Sequence, residues 1–313
     1  MSFSVLIKTD DVFPVVILKD ELQKTEAHVY TFGALLNGFV IEDRQNIIDG
    51  FASCKDAKQN ITNAFKSAKL SPFVCRIKNG EYYFQDKKYK TGKFFLGEEA
   101  IHGLIYDAAF TIVDSNADDV SASIKLEYFY SREDEGFPFK FLCEVIYKLE
   151  KENKLSIITT ITNKSEKQMP LYDGWHPYFK FDQPIDDLSF KINSNKILEF
   201  NDRLVPTGKV FPFEKFQSLQ KLNDVFFDNC FQLKNTNNVA CTIQDEKNNL
   251  RLNIFPSEAY PYLQVYTPPH RNSIAIENLS AAPDAFNNKM GLVILSAEES
   301  KTFSTIFQAV YFK

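Results

Sequence analysis

The sequence predicts an all-β fold of antiparallel strands stacked as a sandwich. Three observations carry it: apolar residues recur with a period of two, polar turn clusters separate the runs, and helical periodicity is convincing in one segment. The polar breaks are KNG (78–80), DSNADD (114–119), EKEN (150–153), NKSEK (163–167), NTNN (235–238) and DEKNN (245–249). No fixed-period repeat or linker interrupts the pattern, so residues 1–313 read as one large β domain.

In chain order, SCKDAKQNITNAFKSAK (53–69) is the helix. Ala57, Ile61, Ala64, Phe65 and Ala68 fall on one stripe, Ser53 can cap the first turn, and Asp56 is favourable at its third position. CRIKNGEYYF (75–84) places Arg76 in a strand before an Asn-Gly turn. In AIHGLIYD (100–107), Gly103 lets a ligand or backbone approach beside His102. ASIKLEYFY (122–130) puts Ile124, Leu126, Tyr128 and Tyr130 on one face. FLCEVIYKLE (141–150) does the same with Phe141, Cys143, Val145, Tyr147 and Leu149, and LSIITTITN (155–163) and LRLNIF (250–255) alternate likewise. LYDGWHPYFKFD (171–182) holds His176 and the only tryptophan. An unbroken strand there would set His176, Tyr178 and Lys180 on one face and Trp175 on the other, in the core. Pro177 is positioned to bend it. In AIENLSAAPDAFNN (275–288), Glu277 closes an apolar run, where an unpaired carboxylate is costly.

Composition narrows the functional classes. A net charge of −5 argues against nucleic acid, which requires a basic face to neutralise phosphates. No segment approaches the roughly 18 apolar residues of a membrane span. Lys8, Asp10 and Asp11 interrupt the N-terminal apolar run, so the expected location is cytoplasmic. The cysteines are Cys54, Cys75, Cys143, Cys230 and Cys241, an odd set without CxxC spacing, which suggests neither a disulfide framework nor a zinc site. The histidines His28, His102, His176 and His270 are widely spaced and give no support for a metal site. Serine-hydrolase, phosphate-loop, dinucleotide and HExxH signatures are absent. Taken singly, His176, Glu277 and Trp175 each have a plain structural reading as core or paired residues.

Taken together, six fragments resemble the aldose 1-epimerase (galactose mutarotase) family, in order along most of the chain. They are SPFVCRIKNGEYYFQDKKY (71–89), IHG (101–103), HPYFKF (176–181), RLVPTG (203–208), FDNCFQL (227–233) and IENLSAAPDAFN (276–287). The resemblance implies a large antiparallel β-supersandwich with one or two short helices. It implies His176 as general acid and Glu277 as general base, with Arg76, His102 and Asp228 holding sugar hydroxyls. It implies a small-molecule sugar as partner, no cofactor, no metal, and a monomer or homodimer. Two positions depart from the pattern. Glu99 stands where many members have asparagine, and the approach DGW to His176 is closer to a subgroup that includes hexose-6-phosphate epimerases. A hexose-6-phosphate 1-epimerase is therefore an alternative, as are a glycoside hydrolase using Glu277 with Asp228 and a non-catalytic sugar-binding module.

Anomer exchange takes one proton from the C1 hydroxyl and delivers one to the ring oxygen. The ring opens, C1–C2 rotates, and closure reverses both transfers. A carboxylate and an imidazole suit the two roles, and arginine and aspartate suit hydroxyl recognition.

Overall fold

The computed structural model describes residues 1–9, 12–234 and 238–312. The expected turn at 235–238, apart from Asn238, and the charges at Asp10 and Asp11 lie outside the described residues. Two large antiparallel sheets dominate. One has nine strands, in the spatial order Thr111–Ala117, Ser121–Tyr130, Phe141–Glu150, Lys154–Asn163, Ser300–Tyr311, Leu250–Pro256, Cys241–Asp245, Ser189–Ile192 and Gln220–Lys221. The other has eight: Pro206–Pro212, Ser194–Phe200, Asp228–Leu233, Tyr262–Tyr266, Ile274–Leu279, Gly174–Trp175 and Lys69–Leu70 in sequence of pairing, with Tyr178–Phe179 also paired to Ile274–Leu279. This is the expected all-β supersandwich. The first fifty residues, where periodicity assigned no element, build a five-stranded sheet from Phe3–Lys8 to Gln45–Asn46.

Alternation decides which face is buried. Phe141, Cys143, Val145, Tyr147 and Leu149 are fully buried, as are Leu250, Leu252 and Ile254. The buried faces of the two large sheets meet at Trp175, whose Nε1 donates to Thr159 Oγ1 at 3.2 Å and whose ring lies 6.0 Å from Tyr147. Trp175 is therefore core, as the period of two predicts. All five cysteines are buried, and none is in a disulfide.

The helix spans Cys54–Ala64, with Ser53 accepting from the Asp56 amide as its cap. It stops five residues short of the expected end at Lys69. Phe65 turns into the left-handed region at φ 53°, its amide still bonded to Ile61. Tertiary pairing overrides local propensity here. Beyond Phe65 the Ser67 amide donates to the His176 carbonyl and the His176 amide to the Ala68 carbonyl. A one-turn helix, Ala285–Asn288, lies in the loop after Glu277.

Candidate active site

The strand Asp228–Leu233 pairs with Tyr262–Tyr266, which pairs with Ile274–Leu279. Register sets Cys230, Gln264 and Glu277 side by side across three strands, and Asp228 opposite Tyr266. Residues two apart on a strand share a face, so Asp228, Gln264, Tyr266 and Glu277 all point to one side. Tyr178, paired with Ala275, joins them. The chain around His176 is not an unbroken strand: Gly174–Trp175 and Tyr178–Phe179 are separate, with His176 and Pro177 in the break. The pairing of His176 with Ser67 and Ala68 spans that break and holds the imidazole over Glu277. Lys180, expected on the same face, is not among the residues lining the cleft.

Arg76 and His102 arrive from a three-stranded sheet, where Ile101 pairs with Arg76. His102 turns at φ 63° and its amide donates to the Cys75 carbonyl. Gly103 follows at φ 79°, and a Cβ there would meet the Ser71 carbonyl oxygen at 2.4 Å. The close approach is by backbone, not ligand.

These elements enclose a cleft of about 410 Å³ lined by all five expected residues, Arg76, His102, His176, Asp228 and Glu277. His176 Nε2 stands 3.3 Å from Glu277 Oε1. The His102 and His176 rings meet edge to face at 4.9 Å, flanked by Phe65 at 4.6 Å from His102 and Tyr178 stacked on His176 at 5.1 Å. Sequence reasoning missed Phe65, Gln264 and Cys75 as site components. Gln264 donates to Asp228 Oδ1 at 2.8 Å, and the Cys75 thiol lies 3.9 Å from Glu277 Oε2. A signal for Gln264 did exist: in YLQVY, Gln264 and Tyr266 are polar-bearing residues that alternate with Leu263 and Val265.

Burial governs the protonation of the site. It pushes the Glu277 carboxyl well above the usual carboxylate range; Asp228 adds to the rise, while Arg76 and the Cys75 thiol oppose it. It holds His176 down to about 4. His102 is also held well below the usual imidazole range, by burial first and then by His176 and Arg76 beside it. Asp228 is also raised by burial, against the pull of Arg76 and Gln264. The Cys75 thiol is pushed up and keeps its proton, so it serves as a donor.

The two departures from the motif pattern have structural partners. Glu99 is buried against Arg203 of the RLVPTG turn, with Nε 2.5 Å from Oε1, and it accepts the Asn79 amide. Asp173 of DGW has no exposed surface; it receives Lys69 Nζ at 2.6 Å and the Tyr260 hydroxyl at 2.8 Å. Neither residue lines the cleft.

The family model for aldose 1-epimerase matches residues 14–308. The chain belongs to that family. Among solved structures, this aldose 1-epimerase family member is similar to a galactose mutarotase-like protein of Clostridium acetobutylicum, with a TM-score of 0.89, 19% identity and 99% of each chain covered. It is similar to galactose 1-epimerase of Lactobacillus acidophilus, with a TM-score of 0.85, 18% identity and 99% of each chain covered. Among curated proteins, the uncharacterised protein YihR of Escherichia coli K12 is 26% identical over 247 residues, spanning 76% of this chain and 77% of that protein. At the family level this is isomerase chemistry. Among the described residues, no helix is long and apolar enough to cross a membrane.

Proposed function

We propose that this protein is an aldose 1-epimerase that interconverts the α and β anomers of a free hexose. The observation that carries this reading is the buried contact between His176 Nε2 and Glu277 Oε1, in a cleft that also holds Arg76, His102 and Asp228. Imidazolium with carboxylate holds the same number of protons as imidazole with carboxylic acid. One proton moved through the sugar exchanges the two states. With the ring closed, Glu277 is charged and His176 protonated. Glu277 takes the C1 hydroxyl proton, His176 gives one to the ring oxygen, and the open-chain aldehyde faces two neutral side chains. Burial favours those neutral forms and so lowers the cost of the open-chain state. Arg76 keeps the carboxylate of Glu277 within reach when the ring is closed. Arg76, His102 and Asp228 have the donors and acceptors to hold the hydroxyls that do not react.

Free hexose is favoured over hexose 6-phosphate by the rim. Of the lining residues, only Lys66 and Arg76 carry a fixed positive charge, and Lys66 is tied to Asp49 at 2.9 Å. The remaining rim residues are Thr62, Asn63, Phe94, Leu96, Tyr266, Pro268, Pro269 and His270, none of which carries a fixed charge. A phosphate at C6 needs convergent cations or helix N-terminal amides. The helix presents its C-terminal end, Thr62 to Ala64, to the cleft instead. Polarimetry of freshly dissolved α-glucose, α-galactose and glucose 6-phosphate tests the reading. Accelerated relaxation of a free aldose supports it, and no acceleration of any of the three would overturn it.

A further inference from the structure

We propose that His102, His176 and Glu277 also form a binding site for a divalent transition-metal ion of the zinc class, which closes the cleft to sugar. The capture of the ion stands on geometry alone; only the inhibition rests on the epimerase reading. Each of the three residues offers one ligand atom, and these atoms all lie within 4.8 Å of one another. It is the only such group of three or more His, Cys, Asp or Glu residues among the described residues. Two imidazoles and one carboxylate are a recurrent ligand set for zinc and for other late first-row ions, with the remaining position left to water. Here all three residues line the cleft, which is open to water. Magnesium and calcium prefer six or more oxygen ligands, which this site does not offer.

The side chains come from three separate parts of the chain, and each is held. His102 follows the strand Glu99–Ile101 and is wedged between Phe65 and His176. His176 is stacked on Tyr178 and fixed through its backbone to Ala68. Glu277 sits within the strand Ile274–Leu279. Zn–N bonds are about 2.0–2.1 Å, so ligands on one tetrahedral ion stand closer than the widest separation here, and the side chains must draw together on binding.

The same surroundings limit affinity. Ligating histidines usually direct their second ring nitrogen at a carboxylate or carbonyl, which orients the ring and raises its basicity. His102 Nδ1 and His176 Nδ1 are both buried without a hydrogen-bond partner. Such a site suits reversible capture rather than a permanent metal centre. An ion bound there occupies the lone pairs that Glu277 and His176 need for proton transfer, so ion and reactive sugar exclude one another.

The test uses chelator-treated, dialysed protein titrated with Co²⁺ and followed by visible absorption, then with Zn²⁺ in competition. One Co²⁺ per chain with d–d bands, displaced by Zn²⁺, is expected. His102→Asn and Glu277→Gln each remove a direct ligand. Each should weaken binding by more than the roughly 10–100-fold typical of outer-shell partners. Thermal melts confirm that the variants are folded, and His176→Asn serves if one is not. Unchanged affinity in folded variants, or no binding by the wild-type chain, would overturn the site. In parallel, Zn²⁺ should slow mutarotation of α-glucose, and EDTA should restore it. Variant-sensitive Co²⁺ binding in a protein that accelerates no aldose would leave the ion site standing and remove the epimerase reading. Mutarotase activity in a protein that neither binds nor responds to Zn²⁺ would do the reverse.

Discussion

At the residue scale, Glu277 and His176 are set by the same burial and pushed in opposite directions. Glu277→Gln keeps the shape and removes the proton acceptor. It should lower kcat by at least about a hundredfold, the usual scale for a general base, with sugar binding largely kept. Polarimetry with calorimetric binding checks this, and near-normal mutarotation would remove the assignment. His176→Asn should also be inactive; full activity there with a dead His102→Asn would exchange the two histidines. Stability carries a second signature. His176 is lowered from 6.5 to about 4 in the fold, so between those values the unfolded chain binds more protons. Its contribution is fully present above pH 6.5 and is lost as pH falls through about 4. At about 1.4 kcal/mol per unit, the loss is on the order of 3 kcal/mol. Glu277, raised in the fold, has the opposite sign: its contribution is present below pH 4.5 and is lost as pH rises toward its folded value. Urea midpoints at pH 7, 5.5 and 4, with chelator present, should fall less steeply for His176→Asn than for wild type. His176 and Glu277 were legible because each breaks its local apolar run with a costly polar group. Phe65 was not, because a helix end that turns left-handed brings it to the cleft, and the alternation that marks Gln264 gains meaning only from the strand register beside Glu277.

At the element scale, the support under His176 is a buried ion pair. Lys69 and Asp173 are both without exposed surface, and Lys69 also donates to the Gly174 carbonyl at 3.0 Å and lies over the Trp175 ring at 4.6 Å. Removing one partner of such a pair leaves an uncompensated charge. Lys69→Met should cost about 3–5 kcal/mol, and the double change Lys69→Met with Asp173→Leu should recover part of it. Denaturant titrations of both variants decide this; a single variant as stable as wild type would contradict it. Gly103→Ala tests a second element. The positive φ and the 2.4 Å approach to Ser71 leave no room for a methyl group, so the turn carrying His102 must move. A higher KM with a smaller change in kcat is expected, since the altered position is for binding. The helix end illustrates the limit of local reading. An apolar stripe through Ala68 is compatible with four more residues of helix, and pairing to His176, more than a hundred positions later, ends it earlier.

At the scale of the whole molecule, His176, Asp228 and Glu277 are carried by the eight-stranded sheet, which is tied to the nine-stranded sheet by the bond from Trp175 to Thr159. The alternation of apolar residues sufficed for the fold class, because each long strand has one face in the core. It did not reveal the order of strands, since every inward face is similarly apolar. The N-terminal sheet escaped notice for a related reason: VVIL (15–18) is a continuous apolar run without alternation, and periodicity alone does not assign such runs. The scarcity of fixed cations at the rim of the cleft leads to a comparative prediction. Free aldoses should give higher kcat/KM than glucose 6-phosphate, and inorganic phosphate should inhibit weakly. A preference for the phosphorylated sugar in side-by-side polarimetry would reverse the substrate assignment.

The strand Ser300–Tyr311 lies in the interior of the nine-stranded sheet, paired with Lys154–Asn163 on one side and Leu250–Pro256 on the other. On the ribosome it is the last of the nine to emerge. Until it does, two long strand edges face water with unpaired amides and carbonyls, the condition under which β-proteins find wrong partners. A nascent chain stalled before residue 300 should therefore recruit holdase chaperones and resist release in native form, whereas one stalled with residues 300–311 outside the exit tunnel should become protease-resistant in a single step.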